Sequence, residues 1–194
     1  MAGKRAAAGL VLTAVAITAA GCLGSGTKTV TVTHTQTVTS TKTVTTTGSV
    51  TSAQPCMGTD LAATFSLVPG SQGAGQIAYT LAVKNTSQSP CSVRGIPQGT
   101  LLGASGSELP TNIKSAGGGA RRLVLPPGAS ATAQARFSPD VAGDGDSQSG
   151  ACQPQAHTFQ LNAEGGGVTE AAIKPPTSVC QQGTLNFVAF GYAG

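Results

Sequence analysis

Beyond residue 55 the chain alternates apolar and polar residues in short runs. In "IAYTLAVK", Ile77, Tyr79, Leu81 and Val83 share one face, and Thr80 and Lys84 take the other. In "ATAQARF", Ala131, Ala133, Ala135 and Phe137 alternate with Thr132, Gln134 and Arg136. In "HTFQLN", Phe159 and Leu161 alternate with Thr158, Gln160 and Asn162. A repeat of two places one set of side chains in a core and the other in solvent, as a half-buried strand requires. The runs "LAATFSLV", "GTLLG", "RRLVL", "GVTEAAI" and "TLNFVAF" add further strands. Between them lie clusters of turn-forming residues such as "PGSQGAG", "NTSQSP", "SAGGG" and "LPPGAS". No segment here carries a sustained apolar period of 3.6. The pattern predicts an all-β fold, an immunoglobulin-like β-sandwich of about eight strands.

The N-terminal part follows other rules. Lys4 and Arg5 precede an uncharged run over residues 6–20, "AAAGLVLTAVAITAA". That run is shorter than the roughly 20 apolar residues of a permanent membrane span and reads as the apolar part of a secretory signal. Small residues then lead into Cys22, as Ala19-Ala20-Gly21-Cys22. The arrangement resembles a bacterial lipobox, in which the cysteine thiol is acylated and the chain is cut just before it. Ala19 stands where a leucine is usual. The resemblance implies that 1–21 is a lipoprotein signal peptide and Cys22 the lipidation site; the alternative is an ordinary signal peptide cut nearby or an uncleaved anchor. Two or more acyl chains hold a protein stably where one does not. The expected location is the cell membrane, lipid-anchored, on its extracytoplasmic face.

Residues 22–54 form the lipidated N-terminus and a linker. Thr fills every odd position from Thr27 to Thr45. The even positions mix Lys28, Val30, Val32, His34, Gln36, Val38, Ser40, Lys42 and Val44, a face too polar to bury. β-branched residues favour extended backbone. The expectation is a solvated Thr-rich stalk, with a strand pairing to the domain or to another copy as the alternative. Fully stretched, residues 27–51 reach about 80–90 Å.

Residues 55–194 make one domain of ordinary size. It holds Cys56, Cys91, Cys152 and Cys180. An even count in an exported chain points to two disulfides. Three pairings are open, and we favour the sequential one, Cys56–Cys91 and Cys152–Cys180. The loop-entropy relation assigns each such bridge ~3.5–4 kcal/mol. The cysteines lack the close C-x-x-C spacing of a metal site, and His157 is the only histidine in the domain.

Four stretches together suggest a family. "LAVKNTSQSPCSVRGIPQGTLL" has an apolar strand, an Asn-small-Ser turn, then Cys, Gly and Pro. "LVLPPGASATAQARF" has an apolar run, a Pro-Gly turn and an alanine-rich strand. "CQPQAHTFQLNA" and "SVCQQGTLNFVAF" carry the last two cysteines. This order resembles an actinobacterial lipoprotein family of unknown function with an immunoglobulin-like, four-cysteine domain, over roughly residues 56–191. The resemblance implies the fold and the location, and no reaction.

The search for chemistry yields little. Asn85 reads as a turn residue that bonds its own backbone. Pro126 to Gly128 suits a type II turn, and Gly95 and Pro97 bracket a change of direction. His157 sits in a predicted strand with no nucleophile motif beside it. Asp140, Asp144 and Asp146 offer oxygens to Ca²⁺ but lack the spacing and closing Glu of an EF-hand, so the expectation is a solvated acidic loop. Arg121 and Arg122 read as solvated edge charges, with an anion site as the alternative. Residues 55–194 hold seven basic and seven acidic residues, which argues against a nucleic-acid partner.

We therefore expect no catalytic centre, no cofactor and no metal. The expected function is a non-enzymatic surface module that contacts a protein, glycan or cell-wall component through loops, at "NTSQSP" or "LPPGAS". The alternative is a small-ligand carrier or a hydrolase with a site assembled from separated residues. A concave pocket with convergent polar groups would favour the alternative; a filled core and flat loop ends, the first.

Overall fold

The computed structural model describes residues 53–193. The expected signal peptide, Cys22 and the Thr-rich linker up to residue 52 lie outside the described residues.

Twelve strands follow in order: β1 (Leu61–Leu67), β2 (Ile77–Asn85), β3 (Cys91–Arg94), β4 (Gly99–Leu102), β5 (Glu108–Leu109), β6 (Asn112–Gly117), β7 (Arg122–Leu125), β8 (Ser130–Phe137), β9 (Gln155–Asn162), β10 (Val168–Ser178), β11 (Thr184–Val188) and β12 (Gly191–Tyr192). The fold is all-β, and its two-layered arrangement is broadly that of an immunoglobulin-like sandwich. The eight runs read from the sequence are β1, β2, β4 and β7 to β11. The four additional strands are short or polar. β3 has four residues, β5 and β12 have two each, and β6 reads "NIKSAG".

The large sheet runs β5-β4-β9-β10-β1-β2-β8-β11-β6, with β12 beside β8. Its two end strands, β5 and β6, are separated in sequence only by Pro110 and Thr111. The sheet therefore curls until its edges nearly meet. The Leu101 amide donates to Thr111 Oγ1 at 2.9 Å, which fixes this corner. Gly183 abuts the same corner; a Cβ there would lie on the Pro110 carbonyl, and its φ is +69°. Only glycine fits.

Two antiparallel hairpins, β1–β2 and β9–β10, meet through a parallel β1–β10 pair. Their large inward side chains explain the scarcity of bulk elsewhere. Tyr79, Leu81 and Val83 of β2 stand opposite Ala135, Ala133 and Ala131 of β8. All six are buried, large against small. Such pairing fills the layer without a void. Phe65 sits at the centre, with ring centroids of Tyr79, Phe159 and Phe187 at 5.4, 5.6 and 6.0 Å. All five phenylalanines are thus spent on the core, Phe190 at its margin.

β3 and β7 form a separate two-stranded sheet. The leading segment joins it. Pro55 pairs in parallel with Ser92, the Cys56 amide donates to the Ser92 carbonyl at 2.9 Å, and the Ser92 amide donates to the Gln54 carbonyl at 2.8 Å.

Candidate functional site

The cysteines of the domain form two bridges, Cys56–Cys91 and Cys152–Cys180, with Cα separations of 4.8 and 5.5 Å. The first ties the leading segment to the start of β3. The second ties the loop before β9 to the end of β10. Each closes a loop around one of the two central hairpins.

Asn85 does more than turn the chain. Its side chain is fully buried. Its Nδ2 donates to the carbonyls of Ser89 and Leu125, each at 2.8 Å. Its Oδ1 accepts from the Ser87 amide at 2.9 Å and the Ser87 hydroxyl at 2.8 Å. Its backbone binds the Pro-Gly turn: the Gly128 amide donates to the Asn85 carbonyl, and the Asn85 amide donates to the Ala129 carbonyl. That turn carries Gly128 at φ +80° and is closed by the Ala129 amide on the Pro126 carbonyl at 2.9 Å, as a type II turn requires. "NTSQSP" and "LPPGAS", read from the sequence as two rival ends, are one end knotted around Asn85. The residue is a structural clamp and not an exposed contact.

The acidic loop is exposed at Asp140 and Asp144, as expected, and differs from its reading at Asp146. Asp146 is buried, not solvated. Its carboxylate accepts from the Gly143 amide at 2.9 Å, from Gln153 Nε2 at 2.7 Å, from the Gln182 amide at 3.0 Å and from the Gln181 amide. Gln181 and Gln182 have φ of +56° and +57°, which aims both amides at one point. The Gly143 and Gln153 bonds lead the other donors in holding its pKa well below the usual carboxylate range. Asp146 lies within 4.8 Å of the sulfurs of Cys152 and Cys180, but both sulfurs are spent in the disulfide and offer no thiolate to a metal. The cluster is a fastening between loop 139–153 and the segment after β10.

One concave feature among the described residues is a cleft of about 660 Å³. Four separate segments wall it: Val93 to Gln98 from the end of β3 onward, Leu161 to Glu164 at the end of β9, Ser115 in β6 with Gly118 and Ala120 just after it, and Ala189–Phe190 before β12. Its floor is apolar, with Leu61, Val93, Leu161 and Phe190 each less than a tenth exposed. The Phe190 amide donates to the Gly95 carbonyl at 2.8 Å, which holds two of the walls together. A third wall is pinned by Gly165, whose amide donates to the Cys56 carbonyl at 2.9 Å. A Cβ at Gly165 would meet the Pro55 carbonyl oxygen at 2.5 Å, so the close approach needs glycine.

Charge gathers at the cleft mouth. Arg94 Nε meets Glu164 Oε1 at 2.9 Å, with the two side chains 55% and 30% exposed. Arg94 stands directly opposite Arg122 across the β3–β7 ladder. Directly opposed residues of an antiparallel pair project to the same face, and like charges there repel. Arg122 also donates to the Ala53 carbonyl at 3.2 Å. Arg121 follows Ala120 of the rim.

His157, on β9, lines neither this cleft nor a smaller one of about 330 Å³ beside Tyr79 and Pro175. In the smaller cleft the Tyr79 hydroxyl donates to the Pro175 carbonyl at 2.8 Å. Burial pushes its phenol above the ordinary value, outweighing the opposing hydrogen bond to Thr177, so it stays a neutral donor. Of the sequence candidates, only Gly95, Pro97 and Cys56 line the large cleft. Ile96, Glu164 and Phe190 carried no sequence signal of a site, because their segments are remote along the chain.

Residues 56–187 match the family described as Domain of unknown function (DUF4232). No curated protein and no solved structure matches the chain.

Proposed function

The chain belongs to the DUF4232 family, and from that footing we propose that it is a lipid-anchored binding module on the extracytoplasmic face of a cell membrane, without catalytic activity. The lipobox-like run ending at Cys22 supports the anchor, and membrane attachment is through that residue's acyl groups. The observation that carries the binding role is the apolar cleft with its charged mouth. Ligand sites are concave, mainly apolar, and fixed by a few polar groups, with volumes of roughly 300–1,000 Å³. The cleft has these features, so the binding surface shifts from the Asn85 end to the cleft, and the small-ligand carrier gains over a flat contact module. A protein, glycan or wall component remains the class of partner for the rim.

Two measurements test this. Cys22→Ser should move the protein out of the membrane fraction or leave an uncut precursor; normal maturation with membrane retention would refute lipidation of Cys22. A photo-cross-linking residue in place of Ala120 should capture a cellular component that the same probe in place of Gln88 does not. Equal capture at both positions would remove the cleft from the reading.

A further inference from the structure

We infer that the cleft takes an anionic amphiphile: one hydrocarbon chain along the apolar floor and a phosphate or carboxylate head at the arginine mouth. The inference rests on the cleft being the binding site proposed above, and it adds the chemical class of the ligand.

Three observations lead there. The floor offers only hydrocarbon, from Leu61, Val93, Leu161 and Phe190. A ligand body that fills it must be apolar, since a polar body would lose its water without regaining hydrogen bonds. The volume, about 660 Å³, suits one chain of modest size.

The mouth supplies the second observation. The domain as a whole balances seven basic against seven acidic residues. Arg94 is the arginine among the described residues that lines the cleft; Arg121 and Arg122 are not lining residues. Arg94 and Arg122 face each other across the ladder, and Arg121 is next in the chain to Arg122. Glu164 is the only carboxylate among the described residues that lines the cleft, and it pairs with Arg94, so the surplus positive charge is that of Arg122, opposite Arg94 and without a carboxylate partner among the described residues. A directly opposed Arg–Arg pair is unfavourable on its own. An anion seated between the guanidinium groups removes that repulsion and accepts charge-assisted hydrogen bonds.

The third observation excludes the obvious competitor, an extended peptide added to the free edge of β6. β6 ends the large sheet and borders the cleft through Ser115. It carries Lys114, breaks register between Phe187 and Val188 of its partner strand β11, and ends in Gly117 and Gly118, both at positive φ. Charge, irregularity and twist are the devices by which an edge resists another strand.

The test uses the full chain carrying Cys22→Ser, so that no acyl group of its own competes. Dodecyl phosphate below its micelle concentration is titrated calorimetrically against octyl phosphate, dodecyltrimethylammonium and inorganic phosphate. Dodecyl phosphate should bind one to one. Octyl phosphate should bind at least tenfold more weakly, because buried methylenes are lost. The cationic analogue should also bind at least tenfold more weakly, and inorganic phosphate should not bind measurably. Raising the salt should weaken the phosphate and leave the tail preference intact.

Two variants complete it. Ala120→Phe, at an exposed rim position, should weaken dodecyl phosphate at least tenfold while the melting curve stays unchanged. Glu164→Gln should tighten it about three- to tenfold, since the one opposing charge is gone. A misfolded protein cannot mimic that gain. Equal binding of the anionic and cationic detergents, or binding indifferent to Ala120→Phe, overturns the inference. If the detergents fail but acidic peptides bind and are lost in Ala120→Phe, the cleft remains a site and the amphiphile is wrong. If nothing binds, the amphiphile is wrong, and the cleft as a binding site stands or falls with the Ala120 cross-linking result.

Discussion

Replacing Asn85 by Ala should be among the most costly polar substitutions in this domain. The side chain makes four hydrogen bonds and is fully buried. Each such bond contributes a net ~0.5–1.5 kcal/mol, and those nearer solvent sit at the low end. The bond to the Leu125 carbonyl counts fully; those to Ser89 and Ser87, nearer solvent, count less. The expected loss is about 2–4 kcal/mol. For a domain of this size that lowers the melting temperature by about 10 °C. Asn85→Asp keeps the shape but turns an oxygen toward the carbonyls of Ser89 and Leu125. It should be worse than Ala at pH 7. Burial and these carbonyls would raise the new carboxyl's pKa, so its deficit should shrink as pH falls toward the ordinary carboxyl value. Urea unfolding of the full chain, with disulfides intact, measures both variants. A loss below about 1 kcal/mol for Asn85→Ala, or an Asp variant no worse than the Ala variant at neutral pH, would refute the clamp.

Asp146 has a depressed folded pKa, so its stabilisation is fully present above the ordinary carboxyl value and is lost as pH falls below it. The urea midpoints of the parent and of Asp146→Asn should therefore be well apart at pH 6 and converge below about pH 4; a constant gap would contradict the reading. Gly165→Ala should cost about 1–3 kcal/mol, because its Cβ must push the β9–β10 turn off the Pro55 and Cys56 carbonyls. Hydrogen exchange at the Gly165 amide should quicken in that variant, and an unchanged rate would mean the turn never rested there.

The all-β fold was legible because its central strands bury one face and so must alternate, as Ile77 to Val83 and Ala131 to Phe137 do. The four strands that were not read lack that constraint. β6 is an edge strand exposed along most of its length, and β5 and β12 are too short for any period to appear. The turn at Pro126 to Gly128 was legible because φ is a local property. The Asn85 clamp was half legible: its bond to Ser87 is local, whereas Leu125 is forty residues away. Asp146 was misread as solvated because its donors, at positions 143, 153, 181 and 182, leave no joint signature in the chain. The cleft was illegible for the same reason, since Val93, Glu164 and Phe190 meet only once the sheet has curled.

The two disulfides have a mechanical consequence. Cys56–Cys91 encloses β1 and β2, and Cys152–Cys180 encloses β9 and β10. These four strands are neighbours, β9-β10-β1-β2, in the middle of the large sheet. A pull along the chain, arriving at Ala53 and leaving through the C-terminal end, crosses each loop through its sulfur bridge. The load bypasses the central hairpins, so tension cannot draw them out end to end while the bridges stand. Stretching would take up only β3 to β8 and the last strands, and the extension at rupture would be short by the length of both loops. Reduction would restore that hidden length, turning a module that yields in part into one that pays out its whole contour.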